Sequence, residues 1–190
     1  MRVRLVKPAD LKLMPWKNGR GTTTELARED DADGMIWRLS AADVIEAGDF
    51  SISPGIDRML MLLGGQGFDL DFGPNGHVAV ADPLTPVRFS GDWTTRAENV
   101  RGPSRDLNLM LARGRAVAEV AVLREASAAR PLADRSLFLA VEGDCQIALG
   151  PIEYALGAGE LLVVSEHAGS AVTMSGATAL LRMDITLSQA

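Results

Sequence analysis

The chain has 190 residues, 47% of them hydrophobic, and a formal net charge of -6. That length suits one domain or two small fused ones, and the apolar share is enough to bury a core. The acidic balance argues against general binding to nucleic-acid phosphates, which needs a basic face, but leaves room for a small anion held by one or two arginines; the single cysteine excludes an internal disulfide and a cysteine-based zinc cluster.

In chain order, MRVRLVKPADLK lacks the apolar core and cleavage site of a signal peptide. No run approaches the roughly 18–20 apolar residues of a membrane span. The expectation is a cytoplasmic protein with no membrane partner. Residues 14–25, MPWKNGRGTTTE, hold a tryptophan, a cation and an amide ahead of two glycines. The glycine pattern is too short for a dinucleotide fingerprint and no helix follows it. One wall of a small-molecule pocket is the reading preferred here. Trp16 would give a flat face, Lys17 a mobile cation, Asn18 a donor and an acceptor, and the glycines close backbone approach. A solvent-facing turn is the plainer alternative.

The acidic EDDADG at 29–34 reads as a solvated loop, and IWRLSAADV at 36–44 as a strand. Within that strand Arg38 and Ser40 share a side, opposite Trp37 and Leu39. FSISPGID at 50–57 is placed as a loop at a barrel mouth. Further strands are read at 86–90, 107–112, 116–123, 160–165 and 178–186. In RDLNLML (105–111), Asp106, Asn108 and Met110 share a side opposite Leu107, Leu109 and Leu111. REASAAR (124–130) is read as one or two helical turns or a linker. The join between two halves falls near 112–130, giving an N-terminal half of residues 1–115 and a C-terminal half of 116–190.

Those halves carry an internal repeat. Residues 57–74, DRMLMLLGGQGFDLDFGP, align without a gap to residues 134–151, DRSLFLAVEGDCQIALGP. Asp57 and Arg58 match Asp134 and Arg135. Phe68, Leu70 and Phe72 match Cys145, Ile147 and Leu149 with a period of two. Each copy reads as strand, glycine turn, strand and a Gly-Pro break, a duplicated β unit. Recurrence of the Asp-Arg pair favours a structural role such as a salt bridge at the strand start, with a binding role for Arg58 as the alternative. Cys145 falls on the apolar face as a small core residue.

Strand, glycine turn, strand and the later GAGELLVV (157–164) resemble the cupin barrel, and two such units resemble a bicupin. More specifically, PWKNGRGTT (15–23), WRLSAADV (37–44), GDFSISPGIDRMLMLLGGQGF (48–68) and RDLNLML (105–111) resemble the HutD/Ves family of bacterial proteins. The resemblance is strongest from residue 14 to 111. It departs at Arg20, where the family usually has glycine. It implies an all-β bicupin that accompanies histidine-utilisation enzymes, binds a small anionic metabolite of formylglutamate, formiminoglutamate or urocanate type, and restrains pathway output.

The candidate ligand-binding set is Trp16, Lys17, Asn18, Arg38, Ser40, Arg58, Asp106 and Asn108. Arg38 suits a ligand carboxylate, or Asp106 as an internal partner. The two histidines, His77 and His167, are both read in turns, so no metal site, cofactor or catalytic residue is assigned. Two alternatives remain open: a hydrolase or isomerase using Lys17 or Asp106, and a non-catalytic interaction protein. Direct nucleic-acid binding is not expected, and a homodimer is left open.

Overall fold

Short alternating stretches interrupted by glycine and proline favour strands over helices, and the computed structural model of the chain is built that way. It describes residues 1–11, 13–15, 21–124, 127–166, 171–176 and 179–188. The strands run β1 (Arg2–Val6), β2 (Leu13–Pro15), β3 (Gly21–Asp31), β4 (Gly34–Val44), β5 (Gly48–Asp49), β6 (Ile56–Gly65), β7 (Phe68–Asp71), β8 (His77–Val80), β9 (Val87–Ser90) and β10 (Arg96–Glu98). They continue with β11 (Ser104–Ala112), β12 (Ala116–Leu123), β13 (Ser127–Pro131), β14 (Arg135–Glu142), β15 (Cys145–Leu149), β16 (Ile152–Leu156), β17 (Leu161–Ser165), β18 (Ala171–Gly176) and β19 (Ala179–Leu187). Among the described residues, no helix is long and apolar enough to cross a membrane.

The chain divides into two compact units, residues 12–115, and residues 1–11 together with 116–190. In the first unit a six-stranded sheet, β2-β3-β4-β11-β6-β9, faces a four-stranded sheet, β5-β10-β7-β8. Leu60 and Leu62 of β6, Val44 of β4 and Phe89 of β9 share a core with Phe68 and Leu70 of β7, Val80 of β8 and Ala97 of β10. The second unit repeats the plan with β1-β17-β14-β19-β12 and β13-β18-β15-β16. Its core joins Phe138 and Ala140 of β14, Leu162 and Val164 of β17 and Leu180 of β19 to Cys145, Ile147 and Leu149 of β15. Each unit is an antiparallel two-sheet sandwich of jelly-roll type, and the chain is the all-β bicupin expected.

Several details differ from the sequence reading. Residues 1–11, counted there with the first half, lie in the second unit because β1 pairs along its whole length with β17. The acidic segment 29–34 is mostly strand: β3 runs to Asp31 and β4 restarts at Gly34, whose φ of 103° suits a tight turn. Residues 127–131, read as helical turn or linker, form β13 and pair with β18, an edge position where weak alternation leaves little signal. His77 opens β8 on an exposed site instead of lying in a turn. Cys145 is buried in the second core, as its alternation indicated.

The repeat is real but not gapless in space. Leu60 and Leu62 face the first core, whereas Phe138 and Ala140 face the second. The gapless alignment matches Leu60 with Leu137 instead, one residue out of step. Phe68, Leu70 and Phe72 remain in phase with Cys145, Ile147 and Leu149. The slip is taken up in the glycine turn between the two strands, which is where a one-residue length change disturbs no ladder.

That turn is tightly built in the first unit. Gly65 has φ 98°, and a Cβ there would lie 2.3 Å from the Pro103 carbonyl oxygen and 2.5 Å from Ser104 Cα. Gly64 next to it has nothing within 4 Å of its would-be Cβ. Gly65→Ala is therefore expected to destabilise the protein by about 2 kcal/mol or more, and Gly64→Ala by less than about 1 kcal/mol. Urea unfolding of the two variants side by side checks the contrast.

Candidate functional site

β4, β11 and β6 lie side by side in the middle of the six-stranded sheet, and their register sets three cross-strand rows. Ala42, Asp106 and Leu62 form one row, Ser40, Asn108 and Leu60 the next, and Arg38, Met110 and Arg58 the third. Because side chains alternate between faces, all nine point to the same side as the core residues Leu60 and Leu62. The core does not fill that side completely. It leaves a cavity of about 470 Å³ lined by Arg38, Ser40, Arg58, Asp106 and Asn108, with Met14, Thr23, Ala42, Met110, Asp49 of β5 and the loop residues Phe50, Ser51 and Ser53.

Five of the eight residues singled out in the sequence therefore share one cavity. Trp16, Lys17 and Asn18 lie outside the described residues. The strands on either side of them, β2 and β3, pair antiparallel, and the register partners Met14 and Thr23 both line the cavity. The polar rows were legible from alternation, but which of the two sets faces into the sandwich was not. Trp37, Leu39, Leu107 and Leu109 are buried on the opposite face of the sheet. Both faces are covered, so alternation separates the two sets without telling which one faces inward.

Arg58 is 6% exposed. Its guanidinium carbon sits 5.1 Å from the Phe50 ring centre and 5.0 Å from that of Phe89. Its Nε donates to Asn108 Oδ1 at 3.4 Å, a long bond. Burial pulls its pKa down to about 10, with Asp106 opposing and Arg38 adding to the fall. It stays cationic at neutral pH. Asp57 does not pair with it. Arg113 binds Asp57 and Asp92 instead, so the strand-start salt bridge is made by a residue outside the repeat.

Asp106 is fully buried, and neither carboxylate oxygen has a hydrogen-bond partner among the described residues. Burial pushes its pKa up to about 7, against the pull of Arg58; Asp43 adds to the rise and Arg105 opposes it. Arg38 does not pair with Asp106. Its Nε donates to Glu25 Oε2 at 2.7 Å, across from Ser40 on β3. At neutral pH the cavity thus holds a desolvated cation whose nearest counter-charge is only part-ionised, an arrangement that favours an anionic guest.

Sequence reasoning missed Phe50, Phe89 and Glu25. Phe50 opens the segment placed at the barrel mouth, and Phe89 lies in a predicted strand, but nothing local pairs either with Arg58. Among the described residues no group of three His, Cys, Asp or Glu side chains has the arrangement of a metal site; His167 lies outside them.

The same place in the second unit carries its own polar cluster. Ser136, Phe138 and Ala140 pair with Asp184, Arg182 and Leu180, as Arg58, Leu60 and Leu62 pair with Met110, Asn108 and Asp106. Arg182 Nε donates to Asp184 Oδ2 at 2.6 Å and its Nη2 to the Pro131 carbonyl at 2.5 Å. Ser136 Oγ donates to Asp184 Oδ1 at 2.5 Å. Here the buried arginine has its carboxylate built in.

Comparison with known proteins fits this architecture. A family model described as HutD matches residues 8–182. An uncharacterised 21.2 kDa protein from the hutC 3' region of Pseudomonas putida is 36% identical over 115 residues, 58% of this chain and 59% of that one. Protein Ves of Citrobacter koseri is 36% identical over 118 residues, 60% of this chain and 61% of that one. The matched region thus spans less than two thirds of these curated relatives. HutD from Pseudomonas fluorescens, solved in a formate condition, superposes with a TM-score of 0.87 at 28% identity, covering 98% of this chain and 99% of that one. A cupin 2 conserved barrel protein from Leptotrichia buccalis shares the fold alone, with a TM-score of 0.58 at 10% identity over 92% of each chain.

The buried carboxyl has a pH signature. The folded protein keeps the Asp106 proton up to about pH 7, whereas the unfolded chain releases it near the ordinary value of 3.8. A raised folded pKa means that stability falls as pH climbs from about 4 to about 7 and is level above that. Asp106→Asn removes this contribution. The variant should gain on the wild type across that window, by about 2–4 kcal/mol at pH 8. Urea unfolding of both proteins from pH 4 to 9 measures the difference, and a gap independent of pH contradicts the assignment.

Proposed function

The chain belongs to the HutD family, and we propose that its first unit binds a small anionic metabolite of histidine breakdown, of formylglutamate, formiminoglutamate or urocanate type, in the cavity between Arg38 and Arg58. The observation that carries this reading is the pair of arginines flanking Met110 in one cross-strand row, with the Asn108 amide one row away. Arg58 is desolvated and only partly compensated, so an incoming carboxylate gains more from it than it would at a solvated site. Arg38 is half-exposed and already oriented by Glu25, which suits it to meet the outer end of a dicarboxylate. The hutC-region name of one relative supports the link to histidine utilisation. Such a protein acts as a metabolite sensor or sink that modulates pathway output.

One observation favours a second reading. A carboxyl with a pKa near neutrality inside a cavity is suited to moving a proton, so Asp106 would serve as acid or base in a hydrolase or isomerase. The two readings separate in one experiment. Calorimetric titration with N-formyl-L-glutamate, formiminoglutamate and urocanate, with glutamate as control, should give saturable binding of one compound. Arg38→Ala should weaken it at least about tenfold, and the compound should be recovered unchanged. Chemical conversion during the titration favours the enzyme, and no heat with any of the compounds sinks the metabolite reading.

A further inference from the structure

Building on the proposal that the cavity takes a carboxylate, the geometry points to Asp106 as the group that reads an N–H on that ligand. The site would select carboxylates bearing an amide or amidine N–H over isosteric carboxylates that lack it. Asp106 is fully buried in the cavity wall with both oxygens unpartnered among the described residues. Such a group is costly unless something donates to it. The cavity's other aspartate, Asp49, already accepts from Arg96 at 2.7 Å. Arg38 and Arg58 can only donate, and the Asn108 carbonyl is engaged by Arg58. Hydroxyls of Ser40, Ser51 and Ser53 also line the cavity, but an ionised Asp106 is the charged acceptor there with both oxygens unpartnered among the described residues.

Register places the acceptor close to the cation. Asp106 and Asn108 are two residues apart on one strand face, about 6–7 Å along β11. Arg58 reaches Asn108 Oδ1, so its guanidinium and the Asp106 carboxylate flank the same spot. A ligand that meets both carries its anionic group and its N–H donor within reach of the same stretch of wall. The second unit supplies the control. It places Leu180 where the first has Asp106, opposite Ala140 as Asp106 is opposite Leu62. The fold accepts an apolar side chain there.

The test uses the full chain and two probes of the same skeleton: N-formyl-L-glutamate, and 2-(formyloxy)glutarate, in which an ester oxygen replaces the N–H. Calorimetry should show the wild type preferring the N–H compound by at least about tenfold. Asp106→Leu should bring the two affinities within about threefold of each other, with its thermal midpoint recorded to confirm folding. Equal affinities in the wild type, or a preference unchanged in Asp106→Leu, overturn the inference while leaving the carboxylate reading in place. Binding of neither compound overturns the inference, and the titrations with formiminoglutamate and urocanate then decide the carboxylate reading separately. Equal affinities in the wild type overturn the inference even if the variant does not fold.

Discussion

A cation buried without a full counter-charge is the constraint around which the first unit is arranged. Arg58 lies where burial lowers its pKa, and its nearest carboxylate, Asp106, is so desolvated that it is only part-ionised at neutral pH. The two attract each other, yet for each of them burial outweighs the attraction. What makes Arg58 tolerable is softer support: the π faces of Phe50 and Phe89 on its flanks and the Asn108 carbonyl at its Nε. None of these supplies a negative charge. The arginine therefore stays poised for one, and the space beside it is where the charge would go.

The frame that holds this arrangement is stiff. Arg38, Asp106, Asn108 and Arg58 come from three adjacent strands with antiparallel neighbours on both sides and burial on both faces, so their mutual placement follows from register. Among the described residues, the loop wall is pinned from outside. Arg113 binds Asp57, Asp92 and the Ser90 hydroxyl. Asp92 in turn accepts from the Gly55 amide, and the Ser53 amide donates to the Gly91 carbonyl. These contacts fix the ends of the segment that carries Phe50, Ser51 and Ser53. An exposed ion-pair cluster of this kind contributes little stability by itself, but it sets the shape of the cavity mouth.

How much of this the sequence discloses depends on the range of the interaction. The period of two in WRLSA and RDLNLML is local, and it correctly grouped Arg38 with Ser40 and Asp106 with Asn108. Which group faced the cavity was not local, because a sheet covered on both sides hides that distinction. The Asp-Arg recurrence suggested that Arg58 and Arg135 were equivalent. A one-residue slip in the glycine turn makes Ser136 the true counterpart, and turn length is not visible in an alignment forced to run without gaps. The aromatic bracket around Arg58 comes from β9 and the loop after β5, joined only by tertiary packing. Glu25 could not be matched to Arg38 without the β3–β4 register, which contains two bulges. The WKN stretch, the motif most suggestive of a pocket, lies outside the described residues, though its flanking strands border the cavity.

The closed cluster in the second unit also bears on how a duplicated fold divides its labour. At the position of Met110 it carries Asp184, and that single carboxylate satisfies Arg182 and Ser136 from within. The second unit satisfies its buried arginine from within, while in the first a thioether stands at the matching position and Arg58 has no such carboxylate beside it in the row. The two halves thus carry different side chains at four matched positions, Arg58, Asp106, Asn108 and Met110 against Ser136, Leu180, Arg182 and Asp184, so one strand plan supports both an open and a self-satisfied polar cluster.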